Sequence, residues 1–254
     1  MKMNLQNKIA LVTGSSRGIG KATALRLAAD GAFVIIHGTN EKLTGTVQQE
    51  ITEHGGKATS INADISNQAG IEFLFKQLDA ILKKQNKTTF DILVNNAGLG
   101  LICPLEETTE EQFDQLINMN VKAPFFITKK AISRLSDGGR IINVSSIVTR
   151  MAMPTVAAYS MTKGSINTMT LWLAKQLGPR QITVNSVSPG VIDTDMNAET
   201  LKNPEAKKYI EGLSTLGRVG KPEDVADTIA FLASDDARWI SGQNIEASGG
   251  SFLG

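Results

Sequence analysis

From Lys8 to Glu246, short runs rich in Val, Ile and Ala alternate without a break with longer stretches of helical spacing. That alternation is the pattern of a parallel sheet joined by crossover helices. The strand-like runs are Lys8 to Thr13, Ala32 to His37, Ala58 to Ile61, Asp91 to Val94, Arg140 to Val144, Thr183 to Val187 and Asn244 to Glu246. Helical periodicity occupies Gly18 to Asp30, Lys42 to Glu53, Gln68 to Lys84, Glu110 to Leu135, Val156 to Leu177 and Glu223 to Ala233. Pro222 followed by two acids suits a helix first turn, and Thr108 or Thr109 suits an N-cap. The pattern predicts an α/β, doubly wound, seven-stranded and mostly parallel sheet with helices on both faces. No linker or repeat divides residues 1–254, so one domain is expected, with an irregular segment at Pro189 to Leu216 as a lid. A short helix is expected there around Pro204 to Gly212.

Composition removes several classes of function. Lys and Arg total 26 against 25 Asp and Glu, so no overall charge favours nucleic acid or an anionic membrane. No run approaches the roughly 20 apolar residues of a membrane span. The opening MKMNLQNK lacks a signal-peptide core, and a cytoplasmic location is expected. Cys103 is alone and reads as a packed side chain. His37 and His54 have no metal-ligand spacing, so they read as surface or second-strand residues and no metal is expected.

The apolar run Ile9 to Val12 leads straight into Thr13-Gly14-Ser15-Ser16-Arg17-Gly18-Ile19-Gly20 and then an Ala- and Leu-rich helix. Strand, glycine turn and helix in that order form a dinucleotide cradle of the Rossmann type. Gly14 allows the turn, Gly18 lets backbone approach a pyrophosphate, and Gly20 lets helix and strand pack closely, while the helix N–H groups face the negative charge. An acid at the end of the second strand would hold a ribose 2′-OH and repel a 2′-phosphate. Here the strand runs out through His37-Gly38-Thr39-Asn40, with no acid. Thr39, Asn40 and Arg17 can donate to a phosphate instead, which favours NADP(H) over NAD(H).

Tyr159 and Lys163 are four residues apart in a stretch of helical spacing, so their side chains share one face. A free tyrosine, with a pKa of about 10, is a weak acid-base group near neutrality, and a neighbouring ammonium together with the positive ring of a bound nicotinamide is expected to lower it. Ser145-Ser146 closes the fifth strand, and Asn120 lies in the preceding helix. Serine hydrolase chemistry finds no partner, because no Gly-x-Ser-x-Gly turn occurs and both histidines lie in the first half of the chain.

Taken with the Gly-x-x-x-Gly-x-Gly turn and Asn95-Asn96-Ala97-Gly98, these motifs make the chain resemble the short-chain dehydrogenase/reductases over nearly its whole length, most of all the 3-oxoacyl-acyl-carrier-protein reductases. The resemblance implies a catalytic set of Asn120, Ser146, Tyr159 and Lys163. Ser146, thirteen positions before Tyr159, would hold the substrate oxygen, Tyr159 would give it a proton as hydride arrives, and Asn120 would hold a relay water. Lys163 would also bond the nicotinamide ribose. The implied cofactor contacts are Gly14, Ser15, Ser16, Arg17, Gly18, Ile19, Gly20, Thr39, Asn40, Asp64, Ile65, Asn96, Ala97, Gly98, Tyr159, Lys163, Pro189, Gly190, Ile192 and Thr194. Gly38 stands where NAD-dependent relatives usually carry Asp.

For a substrate, the resemblance implies a 3-oxoacyl thioester, carried on an acyl carrier protein or free. The alternatives are an NAD(P)-dependent alcohol, polyol or steroid dehydrogenase, and a non-catalytic dinucleotide sensor. Leu99, Met151, Met153, Val156 and Met196 are expected near an apolar ligand. Lys130, Arg134 and Arg180 are the basic residues a carrier protein could meet, although Asp137 stands where those reductases often have a base. Phe125 and Trp172 add apolar surface to two long helices, and a homotetramer is expected, with a dimer as the alternative.

Overall fold

The computed structural model describes residues 3–251 and forms one seven-stranded sheet. Its strands are β1 (Ile9–Val12), β2 (Phe33–Gly38), β3 (Lys57–Asn62), β4 (Phe90–Asn95), β5 (Leu135–Val144), β6 (Thr183–Pro189) and β7 (Asn244–Ala247). They lie in the order β3-β2-β1-β4-β5-β6-β7, and every neighbouring pair is parallel. The α/β, doubly wound fold is therefore present, with no antiparallel member.

The helices are α1 (Gly18–Ala29), α2 (Glu41–Glu53), α3 (Gln68–Lys84), α4 (Glu110–Ile117), α5 (Ala123–Ala131), α6 (Ala157–Leu177), α7 (Ala198–Lys202), α8 (Pro204–Leu213) and α9 (Pro222–Ala233). Alternation along each strand divides the core in two. Leu11 and Ile35 pack with Leu74 and Leu78 of α3 and Ile166 and Leu173 of α6, whereas Val12 and Ile36 pack with Leu27 of α1, Val47 of α2 and Ile229 of α9. Because both faces are covered, the central strands read as continuous apolar runs. Each leucine so buried contributes roughly 2 kcal/mol.

Two expectations at the middle of the chain are corrected. The helix expected over Glu110 to Leu135 is broken at Asn118–Lys122, where the turn widens and the Ala123 N–H reaches back five residues to the Asn118 carbonyl. Pro124 accounts for this: it has no N–H to offer Asn120, and its ring crowds the preceding turn. The helix then ends at Ala131, and Leu135 opens β5 opposite Phe90. Thr109, rather than Thr108, caps α4, in a reciprocal pair with Gln112. No helix among the described residues is long and apolar enough to cross a membrane.

Chain order reverses in space at β1, which pairs β2 on one side and β4 on the other. The crevice at such a switch point, beyond the carboxyl ends of the strands, is where open α/β sheets take their ligands. The loops leaving β1, β4, β5 and β6 all emerge there.

Candidate active site

Between β1 and α1 the glycine turn is held from both sides. Gly14 sits at φ +63°, and a Cβ at Gly20 would fall 2.3 Å from the Gly14 carbonyl and 2.4 Å from Asn96 Nδ2. Just past β4, Asn96 Nδ2 donates to the Thr13 and Gly14 carbonyls at 2.9 and 3.0 Å. From β2, the Gly14 N–H donates to His37 Nδ1 at 3.2 Å. Ser15 is fully buried, and its hydroxyl donates to the Val12 carbonyl at 2.8 Å. It therefore pins the turn from within. Ser16, Gly18 and Ile19 are half-buried, and Arg17 is exposed.

At the end of β2, Thr39 and Asn40 are exposed, and Asn40 Oδ1 caps α2 by accepting from the Leu43 N–H at 3.1 Å. A Cβ at Gly38 would lie 2.9 Å from Thr44 Cγ2 and 3.2 Å from Ser16 Cβ, so the acid absent from this position also lacks room. Arg17 of the glycine turn pairs with Asp195 of the lid at 3.6 Å. Beyond β3, the Ser66 N–H and Asn67 Nδ2 donate to the Asp64 carboxylate at 3.0 and 3.1 Å, and the Ser66 bonds hold it below its ordinary pKa. The Ile65 side chain is in the core, which leaves only its backbone for a ligand.

Two of the four expected catalytic residues, Asn120 and Lys163, meet beside Gly98. A Cβ built there would sit 3.2 Å from Asn120 Oδ1 and 3.5 Å from Lys163 Nζ. Asn120 lies in the widened turn, where its Oδ1 accepts from the Leu99 N–H and its Nδ2 donates to the Leu99 carbonyl, both at 2.8 Å, and to Thr162 Oγ1 at 3.1 Å. It thus ties the loop after β4 to the first turns of α6, which carry Tyr159 and Lys163. Lys163 is buried and donates to the Val144 carbonyl at 2.8 Å. Desolvation lowers its pKa to about 8.

Tyr159 is half-buried, with its hydroxyl bonded to the Ser146 side chain. Its pKa is pushed up to about 12 by burial, against the expectation that Lys163 would lower it. The ammonium stands 5.7 Å from the ring centroid and is spent on a backbone carbonyl. Ser146 closes β5 with its Oγ accepting from the Val148 N–H at 3.3 Å, whereas the Ser145 hydroxyl turns inward to the Lys163 carbonyl. Of the two serines, Ser146 alone faces the tyrosine.

At the end of β6, Pro189 is buried, and Gly190 just beyond it lies against Ser248. The Ile192 carbonyl accepts from Asn197 Nδ2 at 2.8 Å, and Thr194 reaches across to Gly18. Leu99, Met153 and Met196 are 42%, 41% and 56% exposed around the cleft. Val156 is buried, so it belongs to the core rather than to a ligand surface.

A family model described as "Enoyl-(Acyl carrier protein) reductase" matches residues 14–251. An uncharacterized oxidoreductase of Methylorubrum extorquens is 42% identical over 97% of this chain and 98% of its own length. The hydroxynaphthalene reductase-like protein Arp2 of Metarhizium brunneum is 38% identical over 98% of this chain and 96% of its own. In the crystal structure of the angucycline C-6 ketoreductase LanV with bound NADP, the protein is 45% identical and superposes with a TM-score of 0.95, covering 99% of this chain and 98% of that one. The chain belongs to the short-chain dehydrogenase/reductase family.

Within this short-chain dehydrogenase/reductase, two structural groups escaped the motifs. One is the Val144 carbonyl, which holds Lys163 and has no sequence signature. The other is His37, which is indeed a second-strand residue, but a buried one lodged against the glycine turn. Its position at the end of an apolar strand, next to a glycine with no room for a Cβ, was the available signal.

Proposed function

We propose that this chain is an NADPH-dependent ketoreductase acting on a free, apolar, ring-bearing ketone, with Tyr159 as proton donor. Tyr159 carries the reading. A phenol whose hydroxyl is bonded to Ser146, with the Lys163 ammonium 5.7 Å from its ring, stands where it can hand a proton to an oxygen that Ser146 holds.

The cradle fits the cofactor on its own terms: the glycine turn is gripped from β2 and by Asn96 just past β4, its helix N-terminus faces the crevice, its Arg17 is an exposed cation, and Gly38 leaves no room for an acid. When bound, NADPH supplies the hydride. Ser146 holds the carbonyl oxygen, and Tyr159 delivers its proton to that oxygen as charge develops there. Lys163 remains an ammonium below about pH 8 and stabilises the phenolate left behind. Asn120 fixes the Leu99 loop against α6, and its backbone carbonyl, to which Pro124 offers no N–H, is the group for a relay water.

The apolar, sulfur-bearing rim of Leu99, Met153 and Met196 suits a flat ring system. Relatives named for hydroxynaphthalene and angucycline ketones support that class. The 3-oxoacyl thioester is the second reading, favoured by the description of the family model. Carrier docking gains little from the basic residues, because Arg134 is bound to Asp79 and Arg180 to Asp137, each at 2.7 Å. A panel of naphthalenone-type ketones, free and carrier-bound 3-oxoacyl thioesters, polyols and steroids, run with NADPH and NADH, tests this. The ring ketones with NADPH should give the highest kcat/KM, and a gain on carrier-bound thioester would replace the first reading with the second. Phe125 and Trp172 meet at 6.3 Å on an exposed face of α5 and α6, and this face supports assembly as a homotetramer. A monomeric mass by light scattering would refute it.

A further inference from the structure

His37 is the one buried imidazole among the described residues, and the chemistry proposed above makes no use of it. Both ring nitrogens are engaged. Nδ1 accepts the Gly14 N–H at 3.2 Å and therefore carries no proton, so the proton is on Nε2, which lies 3.1 Å from the Ala63 carbonyl and donates to it. Its backbone is tied to the same turn: the His37 N–H donates to Ser15 Oγ at 3.0 Å, and the His37 carbonyl accepts from the Ser15 N–H at 2.8 Å.

The two groups joined by the ring belong to different walls of the crevice. Gly14 begins the glycine turn at φ +63°, and Ala63 precedes Asp64 beyond β3. The nearest strand-to-strand bond across this end is the Ala63 N–H to the Gly38 carbonyl, so without the ring no side chain of β2 would link the turn to the Ala63 segment. Asn96 grips the Gly14 carbonyl from the opposite side. Gly14 is thus fixed at its N–H by β2 and at its carbonyl by Asn96, the residue that follows β4.

We propose that His37 is a positioning residue for the dinucleotide, its neutral ring setting the spacing between the glycine turn and the Ala63-Asp64 segment. This rests on the reading that the crevice binds NADPH. Burial keeps the ring neutral down to a pKa of about 4, so one tautomer serves across the neutral range. A phenyl ring in its place would fill the space and leave the Gly14 N–H and the Ala63 carbonyl without partners, and buried groups so stranded are expensive. An asparagine would put Oδ1 close to where Nδ1 stands and restore the Gly14 bond alone.

The test is a fluorescence titration of the cofactor-free protein with NADPH, for wild type, His37→Phe and His37→Asn, together with kcat and KM at saturating ketone. His37→Phe is expected to weaken NADPH binding about tenfold, with a much smaller change in kcat, and His37→Asn to recover most of the loss. Should His37→Phe not fold, His37→Asn against wild type still decides, with a two- to threefold weakening expected from loss of the Ala63 bond alone. Wild-type binding that both variants match, or a loss confined to kcat, overturns the role of His37 and leaves the reading of the crevice intact. A wild-type chain that binds no NADPH overturns both.

Discussion

The two walls of the cleft are built differently. On the cofactor wall nearly every group has a partner within the sheet: Gly14 is bonded to β2 and to Asn96 just past β4, Ser15 is buried, and Asn96 spends its amide on two carbonyls. On the substrate wall α7 and α8 bury no residue, and the lid is fastened mainly at its ends. There the Asp193 N–H bonds the Gly220 carbonyl at 2.8 Å, and the Ser214 hydroxyl bonds the Gly249 carbonyl at 2.8 Å. Such a segment opens at lower free energy than the strands beneath it. One wall is preorganised for a constant ligand, whereas the other can repack around a variable one.

The sharpest way to break this contrast is at the seam, where the proposed chemistry puts Tyr159 in neither wall. Tyr159→Phe should lower kcat by about a thousandfold, while NADPH binding by titration stays within twofold. A variant that loses cofactor binding as well would show that the phenol is part of the cradle.

The next effect is on stability and concerns the cofactor wall alone. The folded-state pKa of His37, about 4, is below its ordinary 6.5, since desolvation outweighs the Ala63 bond and the nearby Asp64 charge. Between those values the unfolded chain takes up a proton that the folded chain refuses. This contribution is therefore intact above pH 6.5 and is lost as pH falls towards 4, by about 3 kcal/mol in all. Urea unfolding at pH 7 and pH 4.5 should show a steeper loss for wild type than for His37→Asn. Parallel losses would mean that the imidazole is less enclosed than its contacts imply.

The same contrast explains what could be read from the chain. The cofactor wall repeats local rules, such as an apolar strand, a glycine turn and a helix N-terminus, so Gly14 to Gly20 and the spacing of Tyr159 and Lys163 were legible without coordinates. Three features were not. The widened turn at Asn118–Lys122 depends on Pro124 acting inside an otherwise helical stretch. The inward turn of Ser15 depends on the register of β1 with β2. The upward shift of Tyr159 comes from its burial, and the Lys163 ammonium one turn away is held by the Val144 carbonyl, a backbone group that no residue type announces. The first is a local effect of one proline, whereas the other two are packing effects overriding a correct local pattern.

Cofactor choice is a smaller effect, because the deciding charge is exposed. Arg17→Ala should raise the KM for NADPH about tenfold and leave the KM for NADH unchanged. The Asp195 pair itself contributes little at 3.6 Å in solvent, so Asp195→Asn should leave stability unaltered. Equal changes for both cofactors would remove Arg17 from 2′-phosphate recognition.

The smallest effect tests the substrate wall. Met196 lies over the loop after β4, its sulfur 3.0 Å from where a Gly100 Cβ would stand, yet more than half of its surface is exposed. Truncation to alanine removes a flexible contact with the ligand and little from the core, so Met196→Ala should raise the KM for a bulky ketone by a few fold. It should change unfolding free energy by less than about 0.5 kcal/mol and leave NADPH binding unchanged. A loss of several degrees in Tm would place Met196 in the packed body and make the lid as rigid as the glycine turn, whereas a KM shift alone keeps the two walls distinct.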